Sequence, residues 1–386
     1  MKLMLIVQLS QGLRGGIIAP ILTLFMRKQG FSITQIGLLG TAGMLGWLVF
    51  EPITGLIADK VKKKQLIAFS ILFSTIVVLG FPVSTAFWQF AVLMFSRSST
   101  GSLYAVSVKS IIAELLPPTA RGQTYGRYMA IVSMGAIAGP FIGGYLTSLM
   151  GYMMPFYAFA VISVLSLSST LPLKYDGRPS DRTTAAGTSK DTKLLTRGFL
   201  GILTIRSLYM SNLVLRSNFL PVFLYENPGF KATETEIGIY MSITQLTAAL
   251  SQALLGTITD KIGTKTMIAA SLALEGAGYL TLTLTSGIPS LYILGAVHGT
   301  ASAAADLSMM IHLIETMPKG RTSIVMGLYS EAENIGGIIL SPILGTTYDT
   351  MGPIFAVSTV SYVLIVVSVL STFLLQKTPG SKEQPA

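Results

Sequence analysis

Twelve apolar runs, each about 20 residues long and separated by short polar segments, restrict this chain to one kind of solvent. A helix of that length crosses ~30 Å of hydrocarbon. Lipid offers no partner to backbone amides, so each crossing segment has to bond to itself, as a helix does. Of the 386 residues 51% are hydrophobic and only 11% charged, which is too apolar for an ordinary soluble chain. The expected fold class is an all-α membrane protein of twelve transmembrane helices.

The net charge of +10 is distributed by loop and not over one surface. Lys2, Lys60 to Lys64, Arg121, Arg127, the cations between Lys174 and Arg197, Lys261, Lys265, Lys319, Arg321, Lys377 and Lys382 fall at the termini or in alternate loops. The other loops hold Arg27, Lys28 and Lys231. This is the positive-inside pattern, and it predicts cytoplasmic termini in a multi-pass plasma-membrane protein, with the bilayer and not nucleic acid as partner. The first apolar run continues to about Phe25 without a cleavage pattern, so the first helix is expected to act as its own insertion signal. Cysteine is absent, which excludes disulfides and thiolate metal sites; no cofactor or metal is expected.

A short charged hairpin occurs twice. Gly55, Asp59 and Lys60 recur as Gly256, Asp260 and Lys261, with the two aspartates 201 positions apart. The same offset pairs Ile36-Gly37 with Ile237-Gly238, Glu114 with Glu315, Pro117 with Pro318, Gly126 with Gly327 and Gly135 with Gly336. The chain therefore reads as two parallel six-helix repeats, residues 1–172 and 197–386 with a short polar tail, joined by a polar cytoplasmic linker at 173–196. The first repeat is expected to hold spans 3–25, 34–57, 65–84, 87–114, 122–149 and 153–172.

These hairpins resemble the loop signature of the major facilitator superfamily between helices 2 and 3, with Lys62 standing where the family usually has glycine and Gly263 keeping it in the second copy. Arg97 to Gly101 in the fourth span is similar to the family's Arg-x-x-x-Gly pattern. In the fifth span Gly126, Gly135, Gly139, Pro140, Gly143 and Gly144 fill a signature commonest in its drug:proton antiporters. The resemblance implies two pseudo-symmetric bundles, alternating access, and a latch in which Asp59 faces the start of the eleventh helix near Thr322 while Asp260 faces the start of the fifth. It implies a monomer that moves a small solute and protons, with antiport or export as the favoured mode and multidrug efflux as the alternative. The glycines give flat helix faces, and Pro140 a candidate kink.

Charges inside the membrane are costly, about 2.5 to 3.5 kcal/mol for a central arginine even on the insertion scale, and so mark function. Arg14, Arg97, Arg216 and His298 are the expected substrate-binding cations, on the spans that line the cavity in the family, and they suit an anionic substrate. Asp306, Glu51, Glu275, Glu331, Glu333 and His298 are the proton-coupling candidates, with Asp306 and Arg206 the first choice and His298 the second; Arg206 can pair with Asp306, Glu331 or Glu333. Glu275 has no evident partner. A membrane enzyme is disfavoured: the only histidines are His298 and His312, and no metalloprotease helix, nucleophile elbow or phosphate loop is present. A non-transporting sensor on the same fold is the remaining reading of another class.

The two hairpins are unequal, because the first carries four lysines and lacks the glycine. Asp59→Asn is expected to impair transport more than Asp260→Asn, measured as solute flux in vesicles with matched insertion; equal losses would contradict an asymmetric latch.

Overall fold

The computed structural model describes residues 2–58, 61–115, 121–172, 197–317 and 322–375. Among these there is no strand, and thirteen α-helices run in order: α1 Lys2–Lys28, α2 Ile33–Ala58, α3 Lys63–Gly80, α4 Phe87–Leu115, α5 Arg121–Met150, α6 Met154–Thr170, α7 Arg197–Val214, α8 Leu220–Glu226, α9 Glu234–Ile262, α10 Thr264–Leu284, α11 Ile288–Thr316, α12 Thr322–Met351 and α13 Pro353–Leu374. The twelve expected spans become thirteen helices because the seventh is interrupted by a π turn, Leu215–Phe219. Pro221 explains the interruption. Its ring cannot sit against the carbonyl four residues back in a regular helix, and the wider turn makes room. The linker at 173–196 lies outside the described residues.

Six helical stretches, those holding α1, α2, α3, α7–α8, α10 and α13, are long and apolar enough to cross a bilayer by composition alone. Four other long helices, α4, α9, α11 and α12, carry hydroxyls, acids or basic groups that they turn partly inward, and α5 carries glycines. Two ends of the bundle can be distinguished. The start of α1 and the ends of α2, α11 and α13 share one, here called the termini face; the 29–32, 151–153, 227–233 and 352 connections share the other, the far face.

The halves are joined at the far face by glycines pressed on backbone. A Cβ on Gly144 would stand 2.1 Å from the Glu234 carbonyl oxygen, and one on Gly345 would stand 2.8 Å from that of Ile33. Likewise Gly238 meets the Pro140 carbonyl at 2.3 Å and Gly37 the Ser341 carbonyl at 2.6 Å. Each pair is related by the 201-residue offset, so one contact is made twice around the pseudo-two-fold axis. Polar bonds reinforce it. Asp349, at the end of α12, accepts from the backbone N–H groups of Ile33 (3.1 Å) and Thr34 (2.7 Å) at the start of α2, where the helix dipole favours an anion. Arg27 pairs with Glu226 at 2.6 Å, and Tyr152 Oη donates to Glu234 at 2.7 Å. A capping box of Thr233 and Glu236 fixes the start of α9 there.

The apolar core follows the same division. One cluster crosses between the halves near the far face, bringing Phe25, Phe31, Ile36 and Leu39 together with Phe219, Phe223, Leu344 and Tyr348. Toward the termini face each half has its own cluster: Val7, Ile67, Ile71, Tyr104, Val108 and Ile111 in one, and Leu255, Met267, Ala303 and Ala304 in the other. Cβ atoms built on Gly55, Gly256 and Gly327 near that face meet nothing within 4 Å. The structure is closed at the far face and parted toward the termini.

Because the far-face contact leaves no room for side chains, Gly238→Val and, more mildly, Asp349→Ala are expected to open it. In this cysteine-free chain, a cysteine at Ser242 beside the seam should react with an impermeant maleimide added from the far face about tenfold faster or more in Gly238→Val. Unchanged reactivity would show that these contacts do not hold the seam.

Candidate functional site

Three neighbouring spaces bear on the site, two of them between the halves. A 440 Å³ cavity is lined by Gln11, Pro140, Arg216, Tyr240, Met241 and Thr244, among others. A 420 Å³ cavity reaches Trp47, Glu51, Arg97, Asn218, Glu333 and Asn334. A smaller one of 180 Å³, inside the first half, contains Arg14, Trp47, Arg97, Tyr104 and Phe159. They share lining residues, Gln11 and Gly15 between the first and third and Arg97, Trp47 and Ser98 between the second and third, so Arg97 opens onto two of them.

Arg14 and Arg97 meet no acid among the described residues. Arg14 is 3% exposed; its guanidinium donates to Gln11 Oε1 (Nε, 2.7 Å) and to Ser163 Oγ (3.2 Å) and lies over the rings of Tyr104 and Phe159, at 5.7 and 5.4 Å. Neutral acceptors and ring faces orient this cation without cancelling its charge. Tyr104 is itself fixed by donating to Gln8. The Arg97 side chain makes no hydrogen bond or ion pair among the described residues, so it keeps its full donor set for whatever enters the cavity.

The second half pairs its charges. Arg206 bonds Asp306 at 2.5 Å and Glu333 at 2.6 Å, held between the rings of Tyr209 and Tyr329. Three helices, α7, α11 and α12, thus meet in a triad with one more acid than base. The Asp306 side chain is 52% exposed and that of Glu333 29%, so cavity water reaches the acids more readily than the buried guanidinium. Arg216, carried on the π turn, donates to Ser302 at 3.2 Å and reaches the 440 Å³ cavity.

The remaining expected residues are placed as follows. His298 is fully buried between α9 and α10, bonded to Tyr240 Oη at 2.7 Å and stacked on Tyr279 at 4.2 Å, and is not among the residues lining the three cavities. Its room comes from Gly278, where a Cβ would stand 2.7 Å from Nε2. Glu51 lines the 420 Å³ cavity, and Glu331 accepts from Asn334 (3.4 Å) outside the triad. Asp59 and Lys60 lie outside the described residues, whereas Asp260 and Lys261 are exposed at the end of α9. Gly263 has φ +85, a conformation that favours glycine, while Lys62 sits at φ −58. That difference accounts for lysine in the first hairpin: its turn does not require a left-handed residue. In α5, Gly135, Gly139 and Gly143 press on α1 and Gly144 on α9, so one helix has two flat faces; the surroundings of Gly126 lie outside the described residues.

Sequence reasoning missed two sets of groups. The far-face bonds of Asp349, Glu226 and Glu234 join residues about 80 to 320 positions apart in neighbouring polar loops, a pairing no local pattern reports. The buried set of Tyr209, Asn212, Glu275 and Tyr279 announced itself only through Glu275, one acid in an apolar run; its partners are on another helix.

The sequence model of the Major Facilitator Superfamily matches this chain twice, over residues 4–225 and 205–386. The MFS-type transporter MJ1560 of Methanocaldococcus jannaschii is 25% identical over 342 residues, 87% of this chain and 88% of that protein. The quinolone resistance protein NorA of Staphylococcus aureus is 29% identical over 185 residues, about half of either chain (47% and 46%). Among solved structures, a point mutant of the nucleoside transporter NupG superposes with a TM-score of 0.79 at 18% identity, covering 96% of this chain and 97% of that one. A POT family transporter in complex with 5-aminolevulinic acid gives 0.79 at 14% identity over 96% and 94%. Two repeats, a seam made of equivalent glycine contacts, charge-lined cavities between the halves and this doubled family match make the chain a member of the Major Facilitator Superfamily, a multi-pass membrane transporter and not an enzyme.

Proposed function

We propose that this transporter exports a small organic solute with an anionic group, in exchange for protons, by alternating access in the plasma membrane with its termini in the cytoplasm. The observation that carries the substrate reading is Arg97, a cation with no acid partner among the described residues that opens onto two of the three cavities. Arg14 beside it and Arg216 across the seam extend the cationic lining. Guanidinium forks suit carboxylate or phosphate, and truncating one charged hydrogen bond costs about 1.5 to 3 kcal/mol, roughly 10- to 100-fold in affinity. The export mode rests on the fifth-span glycine signature and on the similarity to NorA over half the chain.

Proton coupling is assigned to the triad. A proton on Asp306, the more exposed acid, releases one of the two bonds on Arg206 and leaves Glu333 holding it. This changes the link between α7, α11 and α12, two of which line the central space. Multidrug efflux is the second reading, favoured by Met44, Met94, Trp47, Tyr240 and Met241 along the cavities, soft and aromatic surfaces that adapt to varied solutes.

A matched panel of anionic, cationic and neutral aromatic solutes, assayed for flux in proteoliposomes, separates the readings. Arg97→Gln is expected to reduce flux of the anions by about 10- to 100-fold with little effect on the cations, and Arg97→Lys to restore only part of it. Transport of cations alone, undisturbed by Arg14→Ala and Arg216→Ala, would refute the anionic reading. For coupling, Asp306→Asn should retain downhill exchange but lose acceleration by a pH gradient; a full gradient response in Asp306→Asn would remove the triad from that role.

A further inference from the structure

Glu275 has no part in the scheme above, and its surroundings are unlike those of a structural ion pair. It is fully buried, midway along α10, a helix apolar enough to cross the bilayer. Among the described residues no cation lies within ion-pair distance of it. Two neutral donors from α7 hold it: Asn212 Nδ2 to one oxygen at 2.7 Å and Tyr209 Oη to the other at 3.2 Å. Tyr279 Oη in turn donates to Asn212 Oδ1 at 2.6 Å, its ring stacks on His298, and His298 bonds Tyr240, which lines the 440 Å³ cavity beside Arg216.

The groups acting on Glu275 come from every side. From α7 and its π turn come Tyr209 and Arg216, from α11 Asp306, and from α9 and α10 Tyr240 and Tyr279, with His298 of α11 stacked on Tyr279. The buried face of α13, packed along α10, contributes no titratable side chain there; Ser361 donates to the Gly276 carbonyl at 2.6 Å. Arg216 follows Asn212 by four residues, on the π turn that continues α7, and it is turned to Ser302 and the cavity.

We propose that Glu275 is a proton-binding site, occupied in the state open toward the termini, and that its carboxylate competes with a bound solute for Arg216. An ionised carboxylate taken out of water costs several kcal/mol unless a cation compensates it. The neutral acid fits the observed partners without one: a carboxyl oxygen still accepts from Asn212, and Tyr209 Oη, able to donate or accept, takes the acid O–H. The balance is simple. A proton arriving from water makes Glu275 neutral and leaves Arg216 to the cavity; its departure leaves a carboxylate that draws the guanidinium back. The π turn supplies the freedom, since resolving it into α-helix rotates the following residues by about one position, roughly 100°. Proton binding at Glu275 and anion binding at Arg216 therefore reinforce each other.

The test needs no solute, so it stands or falls independently of the anionic reading. Infrared difference spectra of the protein in liposomes, recorded between neutral and strongly alkaline pH, should contain the C=O stretch of a buried protonated acid. The isosteric Glu275→Gln should remove that band, and Arg216→Gln should change the pH at which it disappears, because the competing cation is gone. A spectrum unchanged in Glu275→Gln would overturn the proton site. A Glu275 band that Arg216→Gln leaves at the same pH would overturn the competition.

Discussion

The structure depends on helix backbones approaching within van der Waals contact at two equivalent places. Gly144 on the first turn of α9 and Gly345 on the first turn of α2 are one contact repeated around the pseudo-axis, as are Gly238 on Pro140 and Gly37 on Ser341. Lipid supplies no hydrophobic drive between apolar helices, so association rests on close packing and on polar bonds, both of which small residues permit. Glycine also makes the contact reversible: flat faces part without unlocking interdigitated side chains. Asp349 on the amides of α2 adds roughly 0.3 to 1 kcal/mol, a size suited to biasing two states of similar energy. The expected latch at Asp59, which lies outside the described residues, would be its counterpart at the other face. Each helix of the α2–α12 pair would carry an acid near its end for the start of the other, one bond for each face of the membrane.

Charge is distributed as unevenly as the packing is symmetric. In the first half, Arg14 is oriented by amide, hydroxyl and ring partners, the Arg97 side chain has no hydrogen-bond or ion-pair partner among the described residues, and both line the cavities. In the second, Arg206 is answered by two acids, and Arg216 stands between a cavity and the buried Glu275. On the proposed function, one half would hold the anion and the other would trade protons against its own arginines. A fold with a two-fold axis gains direction only by breaking that symmetry in its side chains, as this division does.

Much of this was legible in the sequence, for physical reasons. Lipid imposes span length and backbone satisfaction, so the helices follow from composition. The repeat offset found Gly37 and Gly238 before their contacts were known, because a glycine needed at a backbone crossing is needed in both copies. Arg206 and Asp306 were paired because an intramembrane arginine demands an acid and few were available. His298 was expected among the substrate-binding cations and instead sits in a packed cluster: the sequence reports its position along a helix, and the Gly278 hollow opposite decides which way the ring turns. Glu275, Asn212 and Tyr209 come together only when α7 meets α10, and the π turn follows from a proline whose effect depends on its neighbours.

In alternating access, the glycine seam at the far face and the opening toward the termini are two ends of one movement. Cysteine is absent from the chain, so spin labels can be placed in pairs without background: Gln29 with Pro228 across the far face, Leu56 with Ile324 toward the termini. Distances between labels in liposomes, followed as pH is lowered or solute added, should change in opposite senses, the far pair lengthening as the termini pair shortens. Movement of one pair alone, or of both in the same sense, would contradict alternating access through this seam.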